Sequence, residues 1–144
     1  MTRYHVEQHI DAPADAAWAL LTDAATWKDW NPTIVSIDGP IAVGRKVALV
    51  STLNPKRTFK LNVDELTDSG AAGKRMVWSD GMPLGLFTGT RTYTVGEREG
   101  GCTFTMTEEY TGLMAPLITR SIPDMTDSFK EFAVGLKAGA EQKG

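Results

Sequence analysis

The amino-acid sequence predicts an α+β fold: a curved antiparallel sheet of about seven strands wrapped around one long C-terminal helix, with two short helices after the first strand. Three observations carry this expectation. Met125, Phe129, Phe132, Ala133, Leu136 and Ala140 recur at helical spacing and form one apolar stripe near the end of the chain. From about residue 33 to 111 the chain reads as successive strands separated by turn chemistry. The connections between those strands are short, so sequential neighbours should pair antiparallel as hairpins. A single helix rarely fills the hollow of a large bent sheet, so the arrangement predicts an internal cavity.

Taken in order, Tyr4, Val6 and Ile10 alternate with Arg3, His5, Glu7, His9 and Asp11, the pattern of a half-buried strand. Gln8 is the polar exception on its apolar side. Pro13 suits a helix start, where its missing N–H costs nothing, and Asp15 is favoured near the positive helix end. Ala14, Trp18, Leu21 and Ala25 make a short amphipathic helix, and Trp27 to Trp30 form a second turn. Asn31-Pro32 stops it, because proline disfavours the helical region for the residue before it. Strands then follow at about 33–38, 45–53, 57–66, 74–79, 86–97 and 102–111. Asp38-Gly39-Pro40, Asn54-Pro55, Ser69-Gly70 and Gly100-Gly101 supply turns between them. Pro123 ends a loose helical stretch from Leu113 to Ile122, and Asp124 is positioned to cap the last helix. That helix, of about 19 residues, spans roughly 28 Å, enough to cross the sheet.

At 144 residues, with 42% hydrophobic and 23% charged residues, the chain is expected to form one domain, 1–144, able to bury a sizeable core. A net charge of −3 without any basic cluster argues against a nucleic-acid partner. Cys102 stands alone, so an internal disulfide and a multi-cysteine metal site are excluded. The opening residues lack the apolar core of a signal peptide, and no stretch is long enough to span a bilayer. The expected location is cytoplasmic, as a monomer or a homodimer.

This layout, together with D-A-P-A-D-A-A-W-A-L-L-T-D (Asp11 to Asp23) and W-K-D-W-N-P (Trp27 to Pro32), resembles the SRPBCC or START-like superfamily of helix-grip proteins, polyketide cyclase/dehydrase-like members included. The resemblance covers essentially the full length. It implies one of several roles: hydrophobic-ligand carrier, aromatase/cyclase, coenzyme Q-binding protein or chaperone ATPase activator. The Rieske iron–sulfur signature of the superfamily's oxygenases is missing, since one cysteine cannot supply it. No cofactor is expected.

The last hairpin can be registered from its pattern. Phe87, Tyr93 and Val95 fall on odd positions, whereas Phe104, Met106 and Tyr110 fall on even ones. If both sets face inward, a turn over Glu99-Gly100, or a loop from Arg98 to Gly101, sets Tyr93 against Met106, Val95 against Phe104 and Arg91 against Glu108. The other face then carries a row of threonines from Thr88 to Thr107, suited to solvent. Arg91 and Glu108 become a charged couple on an apolar face. Either they neutralise each other structurally, or they hold a polar ligand group or an ordered water.

The candidate ligand-binding residues are Arg91, Glu108, Tyr93, Tyr110, Trp78, Met76, Phe59, Phe87, Phe104, Met106, Met125, Phe129 and Phe132. Such an apolar stripe also suits a plain core. If the protein is an enzyme, Arg91, Glu108, Tyr93 and Tyr110 are the acid–base candidates. Gln8 could join them. Gly135 and Gly139 beside the helix stripe fit either close packing or room for a ligand, since each helical glycine costs about 1 kcal/mol against alanine. Asp80 to Gly85 and Gly112 to Pro123 resemble entrance loops with apolar tips. His5 and His9 lie about 13 Å apart on an extended strand, so no metal site is expected.

The function expected is binding of a small hydrophobic molecule of the lipid, isoprenoid or aromatic polyketide class in the cavity. The alternative is a polyketide cyclase/dehydratase-type enzyme using the same space. A third reading, a protein-interaction module, requires an exposed apolar patch at the two loops.

Overall fold

Alternating apolar and polar side chains produce β1 (Arg3–Ile10), and the computed structural model describes residues 3–143 in all. Two short helices follow, α1 (Ala14–Leu21) and α2 (Trp27–Trp30), linked by a single 3-10 turn. Asn31 leaves the helical region before Pro32 (φ −104°, ψ 105°), as the proline requires. Six strands come next: β2 (Ile34–Asp38), β3 (Lys46–Ser51), β4 (Phe59–Asp68), β5 (Lys74–Met82), β6 (Phe87–Arg98) and β7 (Gly101–Thr111). A helical turn α3 (Ala115–Ile118) and the long α4 (Thr126–Lys143) complete the chain.

The seven strands form one sheet in the order β1-β7-β6-β5-β4-β3-β2, with each neighbouring pair antiparallel. Five of the six pairings join sequential strands. The exception sets β1 beside β7 and so carries the chain's first strand to the edge next to its last. α4 packs against β1, α1 and α2, and buries Phe129, Phe132, Ala133, Leu136 and Ala140 along the stripe visible in the sequence. Burying those side chains, at about 1.5–3 kcal/mol for a large one, is what holds α4 in place. Asp124 Oδ1 accepts from the Thr126 N–H (2.9 Å), tying down the start of α4.

One expectation is corrected here, and one open alternative is decided. Asp80 to Met82 are not loop: they continue β5, pairing from Asp80↔Gly89 to Met82↔Phe87. The ladder bonds offered by β6 outweigh the turn preference of Gly81, and the connection shrinks to a 3-10 turn over Pro83–Gly85. Gly135 and Gly139 leave no room for a ligand. A Cβ at Gly135 would lie 2.1 Å from the Trp30 carbonyl oxygen, and one at Gly139 would lie 2.9 Å from Trp30 Cβ. The glycines let α4 close onto α2.

One ionic contact has no forecast in the sequence. The Lys74 side chain, 3% exposed, pairs with Asp68 Oδ1 (2.6 Å) and Asp15 Oδ1 (2.9 Å), joining β4 and β5 to the first turn of α1. These hydrogen bonds raise the Lys74 pKa; its bond to Lys74, then the Gly70 N–H, lower that of Asp68.

Candidate functional site

The hairpin register places side chains in transverse rows on the concave face. Arg98 opposes Gly101, so the turn is the two-residue Glu99-Gly100 form, and Arg91 opposes Glu108, Tyr93 opposes Met106 and Val95 opposes Phe104. One row crosses four strands: Tyr4, Glu108, Arg91 and Trp78. Next to it lies Val6, Met106, Tyr93 and Met76. Because β strands repeat every two residues, adjacent rows are about 7 Å apart.

Deeper into the concavity, where the sequence predicted an open internal cavity, aromatic rings fill the space instead. Trp27 stacks on Trp78 with centroids 5.3 Å apart, and Phe132 lies between Trp27, Tyr93 and Phe104 at 5.4 to 5.9 Å. Met76, Trp78, Tyr93, Phe104, Met106, Phe129 and Phe132 are all buried in this core. Trp27, wholly buried, is the residue that sequence reasoning missed. It reads there as part of a short helical turn, and nothing local signals that the turn swings inward. Two depressions of about 500 and 410 Å³ lie elsewhere, one between α2 and the outer side of α4, the other between Thr22–Ala25 and Ile37–Ile41.

The charged part of the polar row adjoins this core on the side of the start of α4. Arg91 Nε donates to Glu108 Oε1 (3.0 Å), and the two side chains keep 18% and 14% exposure. The Tyr110 hydroxyl donates to Glu108 Oε2 (2.5 Å) and also lies 3.5 Å from Met125 Sδ. Arg91 Cζ stands 5.0 Å over the Phe129 ring, a cation–π contact. Phe87 stacks on Tyr110 at 5.8 Å. The predicted residues Arg91, Glu108, Tyr110, Phe87, Met125 and Phe129 thus meet in one cluster. Phe59 stands apart: half-buried on β4, two strands from Arg91, it carries the Arg57 guanidinium 4.5 Å over its ring.

Gln8 does not join the charged couple. It opposes Phe104, two rows away, and its Nε2 donates to the His9 carbonyl (2.9 Å). The β1 residue at the polar row is Tyr4, whose ring meets Tyr110 at 6.4 Å and Phe129 at 5.9 Å. Only the β1–β7 register reveals this, and β1 pairs with a strand about 100 residues away. His5 and His9 engage separate partners, Thr107 Oγ1 (2.8 Å) and Asp11 Oδ1 (2.9 Å).

The electrostatics of the cluster follow from burial and from the couple itself. Burial opposes the Arg91 charge, but the Glu108 carboxylate and its hydrogen bond more than offset this and raise the pKa. Burial pushes the Tyr93 phenol up to about 12, with the Arg91 charge pulling against it. Tyr110 is raised further, first by burial and then by the adjacent Glu108 charge and hydrogen bond. Both phenols therefore stay protonated at neutral pH. Trp78 Nε1 is buried without any hydrogen-bond partner among the described residues, and the Tyr93 hydroxyl lies beside the Arg91 guanidinium without a well-formed hydrogen bond to it.

Two loops flank this cluster, one just before Phe87 and one just after Tyr110. Gly112 passes so close to Leu86 that an added Cβ would lie 2.5 Å from the Leu86 carbonyl oxygen, and the Met114 N–H donates to that oxygen (2.8 Å). The β5–β6 turn and the β7–α3 segment are therefore joined, and they expose Leu84 (95%), Leu113 (85%) and Leu117 (60%).

With a curled antiparallel sheet, a long closing helix and a polar couple on the concave face, the molecule has the helix-grip architecture. The chain belongs to the family described as polyketide cyclase / dehydrase and lipid transport, whose sequence profile matches residues 1–141. That membership supports a ligand-binding or cyclase role. Solved structures of similar fold include a hypothetical protein from Helicobacter pylori (14% identity, 96% of this chain and 88% of that one, TM-score 0.76). A norcoclaurine synthase point mutant from Thalictrum, solved with a transition-state analogue, superposes over 99% of this chain and 96% of its own (19% identity, TM-score 0.67). The di-domain ARO/CYC BexL of the BE-7585A biosynthetic pathway matches 98% of this chain with 47% of its own (19% identity, TM-score 0.69). At these identities the likeness is one of fold. No curated protein matches the chain by sequence. Among the described residues, no helix is long and apolar enough to cross a membrane.

Proposed function

We propose that the protein binds a small hydrophobic molecule, of the lipid, isoprenoid or aromatic polyketide class, between α4 and the concave face of the sheet. The ligand enters at the mouth formed by Phe87, Tyr110, Met125 and Phe129, and its polar group meets Arg91 and Glu108. One observation carries the reading: an ion pair held on an apolar surface with 14–18% exposure. Desolvating two charges costs several kcal/mol each, and well-packed apolar residues of similar volume are often as stable or better. Stability alone is a poor reason for the couple, whereas a ligand's polar group is a sufficient one. The aromatic core leaves the deep end occupied, so entry requires Phe129 and Met125 to shift with the start of α4.

Isothermal titration calorimetry with fatty acids, isoprenoids and aromatic polyketides tests the proposal. At least one class binds the wild type, and Arg91→Met weakens it about tenfold, the worth of one charge-assisted hydrogen bond. If no class binds, the proposal fails.

The cyclase/dehydratase alternative is favoured by one feature, the 2.5 Å hydrogen bond from Tyr110 to Glu108. A phenol hydrogen-bonded to a carboxylate is arranged to relay a proton away from a substrate: the Tyr110 oxygen accepts the substrate's proton as its own passes to the Glu108 carboxylate. Turnover of a poly-β-ketone analogue, lost in both Tyr110→Phe and Glu108→Gln, would support it. Unchanged turnover in those variants would exclude these roles.

A further inference from the structure

The two ends of the sheet differ in what they expose. Ile34 opposes Ser51, Leu49 opposes Phe59, Met82 opposes Phe87 and Thr88 opposes Thr111, so the β3–β4, β5–β6 and β7–α3 connections all leave from the same end. Among the described residues, the exposed side chains of Leu53, Met82, Leu84, Leu86, Leu113 and Leu117 all stand there. The connections at the far end expose only one large apolar residue, Val43. Leu84, 95% exposed, also holds a left-handed backbone (φ 63°), which costs a leucine energy and which glycine would adopt freely. A leucine that packs on nothing contributes nothing to the fold, and several together mark a surface kept for an apolar phase or partner.

Shape and charge choose between the two. The β4–β5 ladder ends at Asn62↔Ser79, and beyond it the β3–β4 and β5–β6 hairpins project separately. Leucines on separate prongs present no continuous face to a rigid protein partner, whereas lipid chains close around each tip. Residues 52–58, 83–86 and 112–122 carry Lys56, Arg57 and Arg120 and no Asp or Glu, in a chain of net charge −3. All three cations are exposed, and none makes an ion pair among the described residues. The acids next to these loops in the chain are already engaged. Asp80 accepts from the Gly81 N–H, Glu108 pairs with Arg91, Glu109 with Arg3, and Asp124 accepts from the Thr126 N–H. Asp127 follows in the first turn of α4. We propose that this end of the sheet docks on the surface of an anionic lipid bilayer. The leucine tips enter the boundary between headgroups and acyl chains, and Lys56, Arg57 and Arg120 meet lipid phosphates. Docking goes beyond ligand binding and does not depend on it. It turns Phe87 and Tyr110, which adjoin the same loops, towards the membrane.

Flotation with vesicles tests the docking, phosphatidylcholine alone being set against an equimolar mixture of phosphatidylcholine and phosphatidylglycerol. The mixed vesicles should bind at least about tenfold more tightly than the neutral ones, since each cation near an anionic surface is worth about fivefold. Raising the salt concentration should release the protein from them. Leu84→Ser with Leu113→Ser should weaken binding about tenfold or more, through lost apolar burial. Lys56→Gln with Arg120→Gln should weaken it about twentyfold. Val43→Ser, also exposed but at the far end, should change nothing. All these side chains are exposed, so thermal unfolding should show every variant folded. No binding to the mixed vesicles, equal binding to both kinds, or a loss from Val43→Ser as large as that from the leucine pair overturns the proposal. So does a dimer, seen by sedimentation velocity, that the leucine pair abolishes while vesicle binding is absent; that result assigns the tips to a second copy of the chain. Ligand titration is a separate readout, so each of these failures leaves the proposed binding site standing.

Discussion

Glu108 holds the polar row together, because two donors from different strands converge on its two oxygens. Removing Arg91 would leave a carboxylate of 14% exposure with Tyr110 as its remaining partner. Arg91→Met should therefore destabilise the protein by about 2 kcal/mol, less than breaking a fully buried pair because water still reaches the couple. Replacing both charges, Arg91→Met with Glu108→Leu, should recover most of that loss. Urea denaturation of the two single variants and the double variant measures the coupling; additive losses would show that the two side chains act independently. The odd–even pattern of Phe87, Tyr93, Phe104 and Met106 was enough to foresee this contact, since side chains alternate strictly along a strand. Tyr4 in place of Gln8 was not foreseeable, because β1 carries no local mark of where it joins β7.

At the scale of the element, α4 illustrates how far periodicity reaches. Its buried stripe follows from Phe129, Phe132, Ala133, Leu136 and Ala140, with Met125 half-buried just before it, and its capping carboxylate from Asp124. What its glycines are for does not follow, since a glycine at Gly135 fits a tight helix crossing as well as a ligand pocket. The contact with Trp30 resolves the question. Gly135→Ala should gain about 1 kcal/mol in helix propensity yet lose more overall, because its Cβ would lie 2.1 Å from a backbone oxygen that cannot rotate away. A net loss of about 2 kcal/mol or more is expected by thermal or urea unfolding, and a rise in stability would contradict the close packing of α4 on α2. Asp80–Met82 teach the reverse lesson: a turn-like composition yields to a strand when a partner offers ladder bonds.

For the molecule as a whole, the buried Lys74 ties α1 to β4 and β5 through Asp15 and Asp68. The lowered pKa of Asp68 means that its contribution is present above its unfolded value, about 3.9, and is lost as pH falls towards the folded one. The raised pKa of Lys74 works the other way, so its share is full at neutral pH and is lost only as pH climbs past the ordinary lysine range. The urea midpoint should hold level across neutral pH and drop as pH falls below about 4. Asp68→Asn should flatten that drop, and an acid limb unchanged by the substitution would remove Asp68 from the account. By itself, the sequence determined the order of elements, the family resemblance, the register of the β6–β7 hairpin and the facing of Arg91 on Glu108. All of these are set by periodicities within one element or between chain neighbours. Tertiary structure alone decided that Trp27 stacks on Trp78, that Lys74 is buried between two aspartates, and that Tyr4 joins the row of Arg91 and Glu108. Those contacts join residues far apart in the chain, and which side chain fills an interior depends on the summed shape of every element around it.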